Sequence, residues 1–279
     1  MKLLLHAGPM KTGSTAFQEL MFNNRDLLAE NKIRFRWLKR WELDELPSVL
    51  AEERGRGWPE ILILSHECLC RLSPDRLHSD LCNFPGAKEA LMVARSLREV
   101  YPSLYLQNLK GHVMRSSSYE EFLFEQIDRD RNPEDALRGQ VFNYQFLEQS
   151  FVRAGCQVSW VKYSRSNLLK DLIVFLKKRY CLGLDWESFR PLPPPQGASP
   201  RRSLDFGVAP VARQVNKLCK AGLISVDVRQ DLLVTLLDAS KGLSSNSINN
   251  HALGGELVEL IESIDYEINQ QFWERICLN

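Results

Sequence analysis

The chain has 279 residues, 44% of them hydrophobic and 25% charged, and a formal net charge of +1. This is the composition of an ordinary globular protein, long enough for one large α/β domain with a helical extension. A near-neutral balance argues against wholesale nucleic-acid binding, so an anionic ligand must be held by a local site rather than by the field of the whole molecule.

Leu3, Leu4 and Leu5 open a short apolar run that stops at Gly8-Pro9, which reads as a buried strand running into a loop. After the loop, Ala16, Phe17, Leu20, Met21, Leu27 and Leu28 follow helical spacing, and Ile33, Phe35 and Trp37 then alternate with Arg34 and Arg36 as a strand does. A third strand is the run Ile61 to Leu64, ending at Ser65-His66-Glu67. Residues 87–100 read as a helix, 104–114 as containing a strand that leads to Arg115, and about 118–128 as a helix. Segment 143–153 reads as a helix, Gln157 to Tyr163 as a strand, and 167–178 as a helix. Strands alternating with helices imply a parallel sheet covered on both faces.

Beyond Pro191, Pro193, Pro194 and Pro195 no strand pattern appears. Helical periodicity runs over about 209–222, 224–240 and 253–276, with a Ser/Asn loop at 244–250. The last helix, with Ile261, Ile264, Ile268 and Phe272, reads as a packing helix. Seven cysteines, an odd number, suit free thiols in a reducing cytosol better than a disulfide framework. Cys68 and Cys70 form C-x-C without a matching pair nearby, so no metal site is expected. The leucine run at the N-terminus is too short for a signal-peptide core, and no stretch approaches the roughly 20 apolar residues of a membrane span; a cytoplasmic location is expected.

The chemistry is concentrated in His6-Ala-Gly-Pro-Met-Lys-Thr-Gly-Ser-Thr15, between the first strand and the first helix. Gly8 and Gly13 bracket four residues, as in the G-x-x-x-x-G-K-[ST] phosphate loop, but Ser14 stands at the lysine position and the lysine is Lys11, inside the loop. The physics survives the change. Unpaired N–H groups of the first helical turn and the helix dipole favour an anion, and glycine lets backbone approach phosphate oxygens. Lys11 adds a cation; Thr12, Ser14 and Thr15 add hydroxyls. A glycine turn with an N-capping hydroxyl is the plainer alternative for such a segment.

The segment resembles the 5′-phosphosulfate loop of the sulfotransferases that use 3′-phosphoadenosine 5′-phosphosulfate (PAPS), particularly their bacterial branch. The resemblance extends in order and spacing over most of residues 3–180. Leu62-Ile-Leu-Ser-His-Glu67 resembles that family's strand ending in Ser-Ser-Glu, and Val113-Met-Arg115 followed by Ser116-Ser117-Ser118 resembles its 3′-phosphate segment. Phe142-Asn-Tyr144, a helix, the strand to Tyr163 and a helix ending at Cys181-Leu-Gly183 match the close of its sheet.

The resemblance implies a three-layer, P-loop-type α/β core over residues 1–190 and a helical extension over 191–279, packed as a single domain. It implies an enzyme that moves the sulfuryl group of PAPS, without metal, to a hydroxyl or amine of a saccharide or small-molecule acceptor, leaving 3′-phosphoadenosine 5′-phosphate. Gly8, Lys11, Thr12, Gly13, Ser14 and Thr15 would hold the 5′ end, with Lys11 bridging the leaving phosphate and the sulfuryl oxygens. Arg115, with Ser116 or Ser118, would hold the 3′-phosphate, and Arg201 and Arg202 would fold over the nucleotide. The family's serine, one to two helical turns after the strand-end arginine, is missing at 122–123, which are Phe and Leu. Ser118 serves equally as a helix N-cap, with Glu121 completing S-x-x-E.

Glu67 and His66, at a strand end, are the candidates for a base that takes the acceptor proton, His66 having the more convenient unperturbed pKa. Each also has a structural alternative, Glu67 as a helix-start carboxylate and His66 as a satisfied backbone-bonded ring. His6 and His112 are expected to orient strands or the loop, and Trp37, Trp58 and Trp273 to be core residues or sugar surfaces. A P-loop kinase or NTPase, and a non-catalytic nucleotide-binding homologue, are the competing readings. The first requires a lysine directly after Gly13 and a strand-end aspartate for Mg²⁺.

Overall fold

In a computed structural model of the protein, residues 1–279 are described except 10, 112, 135–140, 192–203, 205, 240–254 and 278–279. His112, Arg201, Arg202 and the Ser/Asn loop at 244–250 therefore lie outside the described residues. The chain forms two compact units that are not contiguous in sequence. One comprises Met1–Arg95, Asp130–Leu192 and Asn269–Asn279, the other Ser96–Arg129 and Pro193–Ile268.

The first unit is built on a five-stranded, all-parallel sheet in the order β2-β3-β1-β4-β5: β1 (Lys2–His6), β2 (Ile33–Trp37), β3 (Ile61–Ser65), β4 (Ala87–Ala94) and β5 (Gln157–Lys162). Helices α1 (Ser14–Asn23), α2 (Arg25–Glu30), α3 (Leu46–Gly55), α4 (Pro74–Leu81), α7 (Tyr144–Arg153) and α8 (Leu168–Tyr180) flank it. The α/β class with a central parallel sheet is thus realised. Side chains alternate between the faces of the buried strands. Leu4, Ile61, Ile63, Leu91 and Val93 meet Phe17, Leu20 and Met21 of α1 and Leu172, Ile173 and Leu176 of α8. Leu3, Leu5, Leu62, Leu64, Ala90 and Met92, one register position away, are equally buried, as strands covered on both faces require.

The central strand β1 lies between β3 and β4, and the chain leaves it towards β2 on one side while β4 and β5 extend the sheet on the other. That is a topological switch point, where the carboxyl ends of neighbouring strands open a crevice. The loop of residues 7–13 follows β1 at this place.

Two elements differ from the sequence expectation. Residues 87–94 are strand rather than helix, and 97–110 are the helix α5 (Leu97–Lys110), so no strand leads to Arg115. Ala87-Lys-Glu-Ala-Leu-Met has strong helix formers, but a central place between β1 and β5 buries Ala90 to Ala94 completely, and tertiary burial overrides propensity. Pro102 sits in the second turn of α5, where it costs one backbone bond without ending the helix. The helix expected across residues 16–28 is also divided, at Asn24, whose side-chain amide donates to Leu20 O.

The second unit is helical: α5, α6 (Tyr119–Arg131, ending across the boundary), α9 (Ala209–Lys220), α10 (Val226–Ala239) and most of α11 (Gly255–Cys277). Its core includes the rings of Tyr105, Tyr119, Phe122 and Phe206. Buried Asn216 and Arg229 cap α5. Asn216 donates to the carbonyls of Leu109 and Arg115, and Arg229 donates to Asn216 Oδ1 at 2.7 Å and to the Leu109 and Gly111 carbonyls. Among the described residues no helix is long and apolar enough to cross a membrane.

Candidate functional site: the loop after the first strand

The loop is shaped by backbone conformations that few residue types adopt. Gly13 is left-handed (φ 86°) and serves as the N-cap of α1, and no side chain caps that helix. A Cβ at Gly13 would lie 2.3 Å from Leu168 Cδ2, so glycine is favoured by φ and any other residue also forces the end of the Leu168 side chain to shift. Lys11 is left-handed as well (φ 67°), an uncommon state for a non-glycine residue that persists where surroundings enforce it. At Gly8 a Cβ would crowd Thr12 Oγ1 and Ser14 Oγ, at 3.1 and 3.2 Å.

The three hydroxyls have different situations. Thr12 is fully buried and its Oγ1 donates to Pro9 O at 2.6 Å, closing the loop on itself. Ser14 Oγ lies 3.5 Å from Thr12 Oγ1, and Thr15 is exposed at the start of α1. Thr12 therefore builds the loop, while the start of α1 presents backbone N–H groups, the feature of a helix N-terminus that attracts anions in general.

Beneath the loop lies a buried polar group. His6 Nδ1 is 2.7 Å from Ser65 Oγ, and Gln18 Nε2 donates to the same oxygen at 3.1 Å. Burial lowers the His6 pKa to about 3, so its ring is neutral and is no source of positive charge for an anion. Its role is the orienting one expected from the sequence. His6 also stacks against Phe17, with centroids 4.4 Å apart.

Sequence reasoning missed Arg95. It directly follows β4, and its Nη1 donates to the carbonyl of Lys11 at 2.7 Å while its guanidinium lies over the Tyr163 ring, 4.2 Å from the centroid. Tyr144 secures it from the other side, accepting from the Arg95 N–H at 3.1 Å and donating to its carbonyl. This clamp ties the ends of β4 and β5 to the lysine-bearing turn. A cavity of about 330 Å³ opens beside it, lined among others by Gly13, Ala16, Tyr163, Arg165, Asn167 and Trp186. The signal was present in the sequence. Once 87–94 is a strand, the arginine at its end is Arg95.

At the end of β3, His66 and Glu67 begin a short 3₁₀ turn over Glu67–Arg71. His66 Nδ1 accepts the Cys68 N–H at 2.9 Å, so this nitrogen carries no proton and the ring's hydrogen is on Nε2. Burial, the largest influence, holds its pKa below the usual histidine range, with Arg40 and Arg71 acting in the same direction and Glu67 opposing. The Glu67 side chain is half-buried.

The remaining expected site residues belong to the second unit. Arg115 follows a helix, not a strand. Its Nη1 donates to Ser117 Oγ at 2.9 Å, its Nη2 pairs with Glu125 at 2.9 Å, and its guanidinium covers Phe122. Ser118 and Glu121 form the capping box of α6: Glu121 N–H donates to Ser118 Oγ at 3.1 Å, and Ser118 N–H to Glu121 Oε2 at 2.7 Å. Ser116 Oγ is 3.4 Å from Lys220 Nζ.

No protein-family model matches the sequence, and no curated protein matches it significantly. The chain is similar to solved sulfotransferase structures. One, from Alicyclobacillus acidocaldarius, is 14% identical with a TM-score of 0.45 over 83% of this chain and 95% of that one. Another, the mouse sulfotransferase SULT7A1 complexed with PAP, is 12% identical with a TM-score of 0.43 over 96% of this chain and 84% of that one.

Proposed function

We propose that the first unit binds the 5′ end of 3′-phosphoadenosine 5′-phosphosulfate in the loop 8–15 and that the protein transfers its sulfuryl group to an acceptor hydroxyl or amine. The observation that carries this reading is the lysine-bearing turn held open against an uncapped helix. Lys11 and Gly13 are both left-handed, among the described residues no side-chain hydrogen bond caps α1, and Gly8 leaves room at the loop's entrance. Such a cradle suits a phosphosulfate, a group with several anionic oxygens and no need of a side-chain cap. The cavity bounded by Gly13, Tyr163 and Trp186 is of a size for the nucleoside.

When bound, PAPS supplies an activated sulfuryl group. The chain's own residues act around it. The α1 N–H groups and the Lys11 ammonium neutralise charge that builds on the leaving phosphate, as fixed donors do in related group transfers. Arg95, which sets the Lys11 carbonyl, takes the strand-end role that the sequence had suggested for Arg115. Between the two candidate bases, Glu67 is preferred. The Nδ1 lone pair of His66 is already engaged by Cys68 N–H, which leaves this residue an Nε2–H to donate rather than a lone pair to accept a proton. The acceptor class proposed is a saccharide or small metabolite.

The test is a comparison of ligands by thermal denaturation. Adenosine 3′,5′-bisphosphate at a hundredfold excess over its Kd should stabilise the protein by about 2.7 kcal/mol, and ATP with Mg²⁺ should not. Lys11→Ala should abolish that shift and all turnover of labelled PAPS on an acceptor panel. A shift with ATP–Mg²⁺ only would return the reading to phosphoryl transfer; no shift with either nucleotide would remove the nucleotide reading altogether.

A further inference from the structure

A separate cavity of about 300 Å³ lies in the first unit between α3 and the end of α4, lined among others by Arg54, Trp58, Ser79, Asp80, Asn83 and Phe84. Trp58 precedes β3, and Phe84 precedes β4. In a parallel sheet this places the cavity at the amino ends of the strands, opposite the loop after β1.

Its walls combine two kinds of group. Trp58 and Phe84 meet edge to face with centroids 5.3 Å apart, Phe84 buried and Trp58 half-exposed, which gives the cavity an aromatic wall. Around it stand planar polar side chains, a guanidinium, a carboxylate and an amide. Asp80 Oδ2 is buried and has no hydrogen-bond partner among the described residues; its nearest cation is Arg76 Nε, 3.5 Å away. Arg76 is itself shared with Asp44 and with the carbonyl of Leu43. Oδ2 is closed off beside Arg76, so the acceptor that Asp80 offers the cavity is the remaining part of its side chain, which is 14% exposed.

The charge balance selects the ligand class. Arg54 and Asp80 line the cavity with one cation and one anion, so neither an organic cation nor an organic anion is favoured over a neutral molecule. A sugar ring has a C–H face that packs on an aromatic side chain and vicinal hydroxyls that pair with carboxylate, amide and guanidinium edges. The volume, near the lower end for small-molecule sites, suits one ring rather than a chain. We infer that this cavity is a binding site for a neutral pyranoside ring, separate from the loop site and independent of the transfer reaction proposed there.

The experiment is saturation-transfer NMR on the full chain with a panel of methyl glycosides of the common hexoses. At least one glycoside should receive saturation, with its affinity unchanged by saturating adenosine 3′,5′-bisphosphate and unchanged in Lys11→Ala. Trp58→Ala should weaken it about tenfold, equivalent to about 1.4 kcal/mol. Should Trp58→Ala not fold, Asn83→Ala alters only an exposed side chain and should weaken binding about threefold, with Asp80→Asn weakening it further. The inference is overturned if no glycoside binds at millimolar concentration, if binding survives these substitutions, or if tetramethylammonium competes with the sugar. Because the loop's nucleotide is measured in the same samples, failure here is distinguishable from failure of the transferase reading.

Discussion

At the scale of single residues the loop after β1 shows how few positions fix its shape. Lys11 was singled out because it stands within a glycine-bracketed loop, but its left-handed backbone is not written in its residue type. Gly13 was readable as a loop glycine, but not for its second reason, since Leu168 is 155 positions away in the chain and only the fold brings its Cδ2 to the glycine. Thr12 was read as a cofactor-binding residue; its hydroxyl is buried and donates to Pro9 O. Such distinctions depend on which way a hydroxyl turns, and residue type does not encode that. Gly13→Ala must pay for positive φ and for a 2.3 Å overlap, and should lower stability by about 2–4 kcal/mol. Gly8→Ala, whose contacts of 3.1 and 3.2 Å involve side-chain hydroxyls, should cost less than half as much. Urea midpoints of the two variants decide this. Equal losses would mean that the Leu168 contact relaxes freely.

At the scale of elements, strands with plain apolar runs and helices with plain caps were legible. β1, β2, β3 and β5 fall where alternation or burial patterns put them, and α7 begins after Asn143, whose side chain accepts the Phe146 N–H. The failure lay between residues 87 and 114. There, helix-forming residues occupy a central strand and a proline sits inside a helix, so local preference and tertiary position disagree in both elements. That single error placed a strand end at Arg115, whereas the arginine that follows a strand is Arg95. The far end of the same helix offers a test of what holds it. Arg229 is 3% exposed and donates to carbonyls at the end of α5, whereas Arg98, near its start, makes an exposed pair with Glu262. Arg229→Met takes the donor from buried Asn216 Oδ1 and one of the donors from each of the Leu109 and Gly111 carbonyls, and should cost about 2–4 kcal/mol; Arg98→Met should cost less than about 1 kcal/mol. Guanidinium denaturation of both gives the comparison, and similar small losses would show that water replaces the buried guanidinium.

At the scale of the whole molecule, the formal charge of +1 says that the protein has little field with which to collect anions, so the proposed recognition would rest on short-range groups. Around the loop of the first unit these are neutral and oriented: the N-terminus of α1 above, and the buried His6–Ser65–Gln18 group below. A neutral imidazole under the loop has a measurable consequence for the fold. The His6 pKa is about 3 in the folded protein, against 6.5 for the unperturbed ring. Below pH 6.5 the unfolded chain therefore takes up a proton that the folded chain refuses. Stability from this group is complete above pH 6.5 and is lost as pH falls towards 3, at a slope of at most about 1.4 kcal/mol per pH unit. His66, also shifted down by burial, adds to the loss in the same direction. His6→Asn keeps a side-chain partner for Ser65 but removes the titration. Plotted against pH from 7 down to 4, its unfolding free energy should start lower than that of the natural protein, because packing against Phe17 is lost. It should then decline less steeply, and the two curves should converge in acid. Parallel curves would mean that the ring is hydrated and titrates normally in the folded state, and the dry polar layer beneath the loop would have to be given up.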